Sequence, residues 1–255
     1  PKDTYDMNSS MYPHIRELKE GEGHVGILNY WKKPINDKPY IIVEYAHAKG
    51  NALGNFKEYW EMMDKYEPMV GGFIWDWINQ SFWVKMKDGR VRNSHSVDNQ
   101  GGANTGAVGE FHGGSRPFDG CINGLVFSDY GIQPEMHEVK RMHQFIGFKL
   151  LAAKQGTVEI HNKYSTINLN QFKGKWELLR NGEKIKSGML PTLSLPPEQK
   201  KAVSLPIGSM DSGAEYALTL RYALAEATSW AEAGHEIASH QLILQTASLN
   251  PSFPS

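Results

Sequence analysis

Apolar positions along the chain fall into two textures that change near Gly147. In the first, Tyr40, Ile41, Ile42 and Val43 follow one another without a polar interruption, the pattern of a parallel strand covered on both faces, and Glu44 stands where that strand ends. Leu53, Phe56, Trp60 and Met63 recur at helical spacing, predicting a crossover helix capped by Asn51 after Gly50. Val70 to Asp76 reads as a second buried strand whose glycines mark close backbone packing. Tyr5 to Tyr12 predicts a third, followed by helical pieces around 14–19 and 25–32. From Ser81 to Arg116 the chain is rich in Gly and Asn with little periodicity, which predicts an ordered functional loop. Pro134 then opens a helix with Met136, Val139 and Met142 on one face.

Past Gly147 the period becomes two. Tyr216, Leu218, Leu220, Tyr222 and Leu224 alternate with Ala217, Thr219, Arg221 and Ala223, as in a half-buried antiparallel strand. Asn181-Gly182 supplies a two-residue hairpin turn. Short strands with such turns predict an immunoglobulin-like β-sandwich. The fold class is therefore α/β plus all-β, with 1–146 in the first part, the sandwich over 147–247, and 248–255 read as a linker.

Composition narrows the function classes. With 255 residues and a net charge of −1, electrostatics gives no reason to expect nucleic acid or an anionic membrane as partner. No apolar stretch approaches the roughly 20 residues of a spanning helix. The one cysteine, Cys121, has no partner for an internal disulfide. The amino end, Pro1-Lys2-Asp3-Thr4, carries neither a start methionine nor a signal peptide and reads as cut from something longer. The 7 Trp, 11 Tyr and 10 Phe fill cores first and stack against sugar faces second.

Chemistry concentrates at Glu44. Parallel sheets place their reactive groups at the carboxyl ends of strands, and a carboxylate there is costly to bury unless it is paired or used. A neighbouring Arg or backbone amide would satisfy it equally well, so Glu44 alone leaves both readings open.

Ile-Val-Glu-Tyr-Ala-His-Ala-Lys-Gly-Asn (42–51), Gly-Gly-Phe-Ile-Trp-Asp-Trp (71–77), Cys-Ile-Asn-Gly-Leu-Val-Phe-Ser-Asp (121–129) and Thr-Ser-Trp-Ala-Glu-Ala-Gly-His (228–235) together resemble the large bacterial β-galactosidases of glycoside hydrolase family 2. The resemblance implies that residues 1–146 are the last strands of a (β/α)8 TIM barrel, followed by the sandwich. It implies Glu44 as the nucleophile of a retaining mechanism and Tyr12 as a phenol beside it. His47 becomes a contact to galactosyl hydroxyls, and Trp75 the aromatic wall of the pocket. Asp76 is the obvious second acid and is read as orienting its neighbours, while Trp77 and Trp83 are read as packing. Asn123 corresponds to a sodium ligand, with Gly120 where the family commonly has a Phe contributing its carbonyl. Lys49 stands where the family commonly has Met.

The same resemblance implies what these residues lack. A retaining glycosidase needs two carboxyls about 5 to 5.5 Å apart, and the family takes its acid from an Asn-Glu pair. No Asn-Glu dipeptide occurs in the sequence. The family's magnesium ligands lie upstream of the matching segments too. The expectation is a fragment of a β-galactosidase that is inactive alone and associates with itself through open barrel edges. The competing readings are a non-catalytic carbohydrate-binding or structural module, and another family 2 specificity such as glucuronidase or mannosidase. The set Tyr12, Glu44, His47 and Trp75 discriminates against the module, since a binding-only sandwich has no use for it.

Overall fold

The computed structural model describes residues 6–15, 38–48, 53–85, 89–94 and 123–247. Lys49, Asn51, Gly120, Cys121, the segment 25–32 and the linker 248–255 lie outside the described residues. The chain divides into two compact units, Pro1–Met142 and His143–Ser255.

In the first unit β1 (Asn8–Met11), β2 (Tyr40–Tyr45) and β3 (Met69–Ile74) form a parallel sheet in the order β1-β2-β3. Helix α1 (Phe56–Lys65) is the crossover between β2 and β3, and it packs Phe56, Tyr59, Met62 and Met63 into a core with Tyr40, Ile42 and Tyr45. The helix starts later than its apolar spacing predicts. Leu53 and Asn55 take left-handed backbone angles (φ 61° and 62°), so the chain turns before coiling and Asn55, without a side-chain bond, holds the capping position. Helix α2 (Glu135–Met142) buries Val139 and packs Met136 and Met142 against the same core.

Two expectations are corrected here. The strands are not covered on both faces: Val43, Val70 and Phe73 are 37%, 51% and 62% exposed. Three parallel strands cannot close a cylinder; among the described residues, helices cover one face of the sheet, and Val43, Val70 and Phe73 stand exposed away from that core. The stretch beginning at Ser81 is not loop throughout, because β4 (Phe82–Lys85) and β5 (Val91–Ser94) pair as an antiparallel hairpin. Too few residues alternate there for a period to register. Trp83 packs on Phe127, ring centroids 5.5 Å apart.

The second unit is a two-sheet sandwich. Strands β6 (Ile146–Ala152), β7 (Thr157–Asn162) and β10 (Lys200–Ser204) make one sheet; β8 (Phe172–Arg180), β9 (Glu183–Met189), β11 (Tyr216–Leu224) and β12 (Glu236–Gln245) make the other. Ile146, Val158 and Ile160 from one sheet meet Trp176, Leu178 and Leu220 from the other in one core. Asn181 (φ 49°) and Gly182 (φ 82°) form the expected tight turn between β8 and β9. At the start of β11 the phenol oxygen of Tyr216 accepts from the Asp211 amide at 3.2 Å, the tyrosine corner of such sandwiches. Strand β11 is more deeply buried than alternation predicts: Ala217 and Thr219 are 5% and 7% exposed. It is a central strand, between β8 and β12, and the longer side chains of its neighbours cover its small outward residues. On that face Arg221 bonds Glu177 at 2.7 Å, and this contact holds the Glu177 carboxyl below its usual range.

Candidate functional site

Glu44 is aimed by an irregularity in β2. Opposite β1, Ser10 pairs with Ile42 but Met11 with Glu44; opposite β3, Ile42 pairs with Gly72 but Tyr45 with Ile74. Both neighbours therefore see one extra residue in β2 just after Ile42, a β-bulge. An unbroken strand would put residue 44 on the buried face with Tyr40 and Ile42. With the extra residue that face is resumed by Tyr45, which is 0% exposed, and Glu44 is half-buried on the other side.

Four segments are joined edge to edge at this end of the sheet. The Tyr12 amide donates to the Glu44 carbonyl at 2.7 Å, the Trp75 amide to the Tyr45 carbonyl at 3.0 Å, and the Ala48 amide to the Trp75 carbonyl at 2.8 Å. The segment 123–126 then pairs beside 75–79: the Asp76 amide donates to the Asn123 carbonyl at 3.0 Å and the Leu125 amide to the Asp76 carbonyl at 3.1 Å. Tyr12 and Ala46 sit at φ 48° and 52°, a left-handed region costly for residues with a Cβ and concentrated at functional sites. The Trp75–Asp76 peptide is cis.

The side chains converge on these ends. Burial, interaction of the hydroxyl with the Glu44 carboxylate and the charges of Glu44 and Asp76 push the Tyr12 pKa up to about 12. The phenol therefore keeps its proton at neutral pH and donates it. The Tyr12 and His47 rings lie 6.1 Å apart, and His47 Nε2 is 3.2 Å from Asn123 Nδ2. Since an amide nitrogen only donates, that bond makes Nε2 the acceptor and puts the ring proton on Nδ1. Trp75 reaches the same sheet end through its backbone bonds, the residue as a whole being 39% exposed. Tyr12, Glu44, His47, Trp75 and Asn123 are thus brought together; Gly120 lies outside the described residues.

Asp76 spends both carboxylate oxygens on its own turn, Oδ1 accepting from the Ile78 amide at 3.0 Å and Oδ2 from Gln80 Nε2 at 2.9 Å. Asn123 is fully buried, and its Oδ1 has no hydrogen-bond partner among the described residues. A buried acceptor left open suits a hard cation. No cluster of three His, Cys, Asp or Glu side chains able to hold a metal occurs among the described residues. Two residues the sequence reading passes over also belong to this end of the sheet. Asn79, 2% exposed, accepts from the Gly124 amide at 2.7 Å, and Gln133 bonds both Asn79 and the Gly124 carbonyl.

Comparison with known proteins follows the same division. Residues 2–148 match the family model "Glycosyl hydrolases family 2, TIM barrel domain", and residues 158–245 match "Beta-galactosidase, domain 4". The expected order, the closing part of a TIM barrel and then a sandwich, stands on these matches. The chain is 34% identical over 254 residues to a protein named beta-galactosidase of Priestia megaterium, covering 98% of the chain and 22% of that protein. It is 36% identical over 240 residues to one so named of Clostridium acetobutylicum (94% and 24%) and 35% over 227 residues to one of Klebsiella pneumoniae (86% and 20%). The chain thus spans between a fifth and a quarter of the length of these curated relatives.

Proposed function

This chain belongs to glycosyl hydrolase family 2, and we propose that it is the part of a retaining β-galactosidase that carries the nucleophile, Glu44, and one side of the sugar pocket. The observation that carries the reading is the bulge that turns Glu44 away from the helix-covered core to meet the Tyr12 hydroxyl. In the reaction one Glu44 oxygen attacks the anomeric carbon of a β-galactoside, the bond to the leaving oxygen breaks, and a glycosyl ester forms with inversion. Water then attacks the same carbon, releases the Glu44 carboxylate and restores the configuration. Tyr12, still protonated, donates to that carboxylate and steadies the charge returned to it in the second step. His47 bonds sugar hydroxyls and Trp75 covers an apolar sugar face.

The proton for the leaving oxygen comes from a carboxyl outside this sequence, and the same group, then ionised, takes a proton from the attacking water in the second step. Asp76 is unsuited to the task because both its oxygens are engaged. Asn123 Oδ1 would hold a sodium ion, with the Gly120 carbonyl as a second ligand; such an ion supplies a fixed positive charge to sugar oxygens. Magnesium would be held by residues of the longer protein.

The test separates the two carboxyl roles. A dinitrophenyl 2-fluoro-galactoside has a leaving group that needs little acid assistance, so the chain should gain one fluorogalactosyl mass slowly, on the peptide containing Glu44, and Glu44→Gln should gain none. Mass added elsewhere, or none at all, refutes the nucleophile. Steady turnover of a nitrophenyl galactoside that vanishes in Glu44→Gln refutes the missing acid.

A further inference from the structure

A single peptide plane beside His47 is pinned at both ends. The Asn123 carbonyl accepts from the Asp76 amide at 3.0 Å. The other end of the same peptide, the Gly124 amide, donates to Asn79 Oδ1 at 2.7 Å. Gln133 Nε2 closes the arrangement, donating to the Gly124 carbonyl at 2.6 Å and to Asn79 Oδ1 at 3.3 Å. Gly124 completes it by having no side chain, since a Cβ there would lie 2.3 Å from the Asn79 nitrogen.

The geometric consequence falls on Asn123. Because a peptide is planar, fixing its carbonyl and its amide together fixes the plane, and with it the position of Asn123 Cα and the axis of its Cα–C bond. Rotation about that axis and the two side-chain torsions of Asn123 remain, and full burial restricts those. Its Nδ2 is thereby held 3.2 Å from His47 Nε2. A buried amide such as Asn79 is costly unless its polar atoms are used, and here one oxygen accepts from both the Gly124 amide and Gln133 Nε2.

We infer that Asn79 and Gln133 are positioning residues: acting through the Asn123–Gly124 peptide, they hold Asn123 against His47 and so set the orientation and tautomer with which that imidazole meets a sugar hydroxyl. The sugar in that statement rests on the reading of the preceding subsection; the ring orientation and tautomer do not.

The experiment uses the full chain labelled with 15N-histidine, observed by long-range 1H–15N correlation at about pH 8.5, two units above the ordinary imidazole pKa. The His47 signals are identified by their loss in His47→Gln. In the parent the His47 proton should reside predominantly on Nδ1. Asn79→Ala and Gln133→Ala should move the tautomer ratio several-fold toward Nε2–H, while Asn79→Asp, which keeps the acceptor, should retain the parent ratio. General loosening of the fold lowers Tm in every variant but does not single out Asp as the substitution that rescues the tautomer. Should Asn79→Ala fail to fold, Gln133→Ala and Asn79→Asp are read in the same way. A parent-like ratio in the Ala variants that fold overturns the inference. Calorimetry with galactose on the same proteins distinguishes the two readings: a tautomer shift without galactose heat in any protein removes the sugar and leaves the positioning role, whereas galactose binding with an unmoved tautomer does the reverse.

Discussion

Gly124→Ala measures how tightly the segment carrying Asn123 is seated. An ideal Cβ at this position lies 2.3 Å from the Asn79 nitrogen and from the Ile78 carbonyl carbon, and 2.6 Å from Ile78 Cα. All three are backbone atoms, which cannot swing aside as a side chain would. Restoring ordinary contact, about 3.4 Å or more, requires the segments 75–79 and 123–126 to part by roughly 1 Å. The bonds between them run from 2.7 to 3.1 Å, so a shift of that size carries them past the about 3.2 Å at which such bonds hold well. Losing even three of these five bonds at about 1 kcal/mol net each, with an overpacking cost of about 1–3 kcal/mol, gives roughly 4–6 kcal/mol. Hydrogen exchange read by mass spectrometry is suited to this, because a loss of about 4 kcal/mol corresponds to roughly a thousand-fold faster exchange. That acceleration is expected in peptides covering 75–79 and 123–126. Peptides from β8 and β11, in the other unit, should be unchanged and serve as an internal reference. Gly54→Ala, where a Cβ meets nothing within 4 Å, should stay within about 0.5 kcal/mol of the parent. Exchange at 123–126 within three-fold of the parent in Gly124→Ala would refute the close seating.

Alkaline stability should report Tyr222, which burial pushes up to about 12. The folded value lies above the unfolded value of about 10, so the contribution is intact below pH 10 and is lost as pH rises through 12. Tyr222→Phe should match or exceed parent stability at pH 7, since the hydroxyl is buried without a partner among the described residues, and in urea titrations it should lose less stability between pH 10 and 12; an equal loss would refute the assignment. The open sheet face bearing Val43, Val70 and Phe73 leads us to propose that the chain self-associates. Light scattering should give a mass above 28.7 kDa at micromolar concentration, reduced by Phe73→Lys, and a monodisperse monomer would refute it.

Much of the architecture could be read from the residues because it rests on local rules. The Asn181-Gly182 turn, the alternation of β11 and the spacing of Phe56 and Met63 in α1 each depend on a few neighbouring positions. Glycine beside strands signalled close approach correctly at Gly72, where a Cβ would meet the Tyr45 ring at 2.9 Å. The readings that failed depend on what lies across space. Whether Val43 is covered is decided by strands far away in sequence, and Ala217 is buried because longer neighbours flank it. Asn79 and Gln133 left no signal at all, because a polar residue near a strand end looks the same whether it faces water or clamps another segment.

Glu44 shows why a motif can be legible while its geometry is not. Strict alternation from Tyr40 through Ile42 assigns residue 44 to the buried face, against helix α1, where a carboxylate would be desolvated among Phe56, Tyr59 and Met62 at a cost of several kcal/mol. The unalternating run Tyr-Ile-Ile-Val-Glu-Tyr conceals the remedy, because it reads equally as a strand apolar on both sides. The two register shifts resolve it: one inserted residue lets Tyr45 take the core position and frees Glu44 for the face where Tyr12 meets it. The left-handed angles at Tyr12 and Ala46 then flank the carboxylate on both of its strands, local costs that the buried aromatic cluster of Tyr45, Phe56 and Tyr59 offsets. A bulge, two strained residues and an aromatic anchor therefore form one device, and the carboxylate it presents is aimed by the backbone itself.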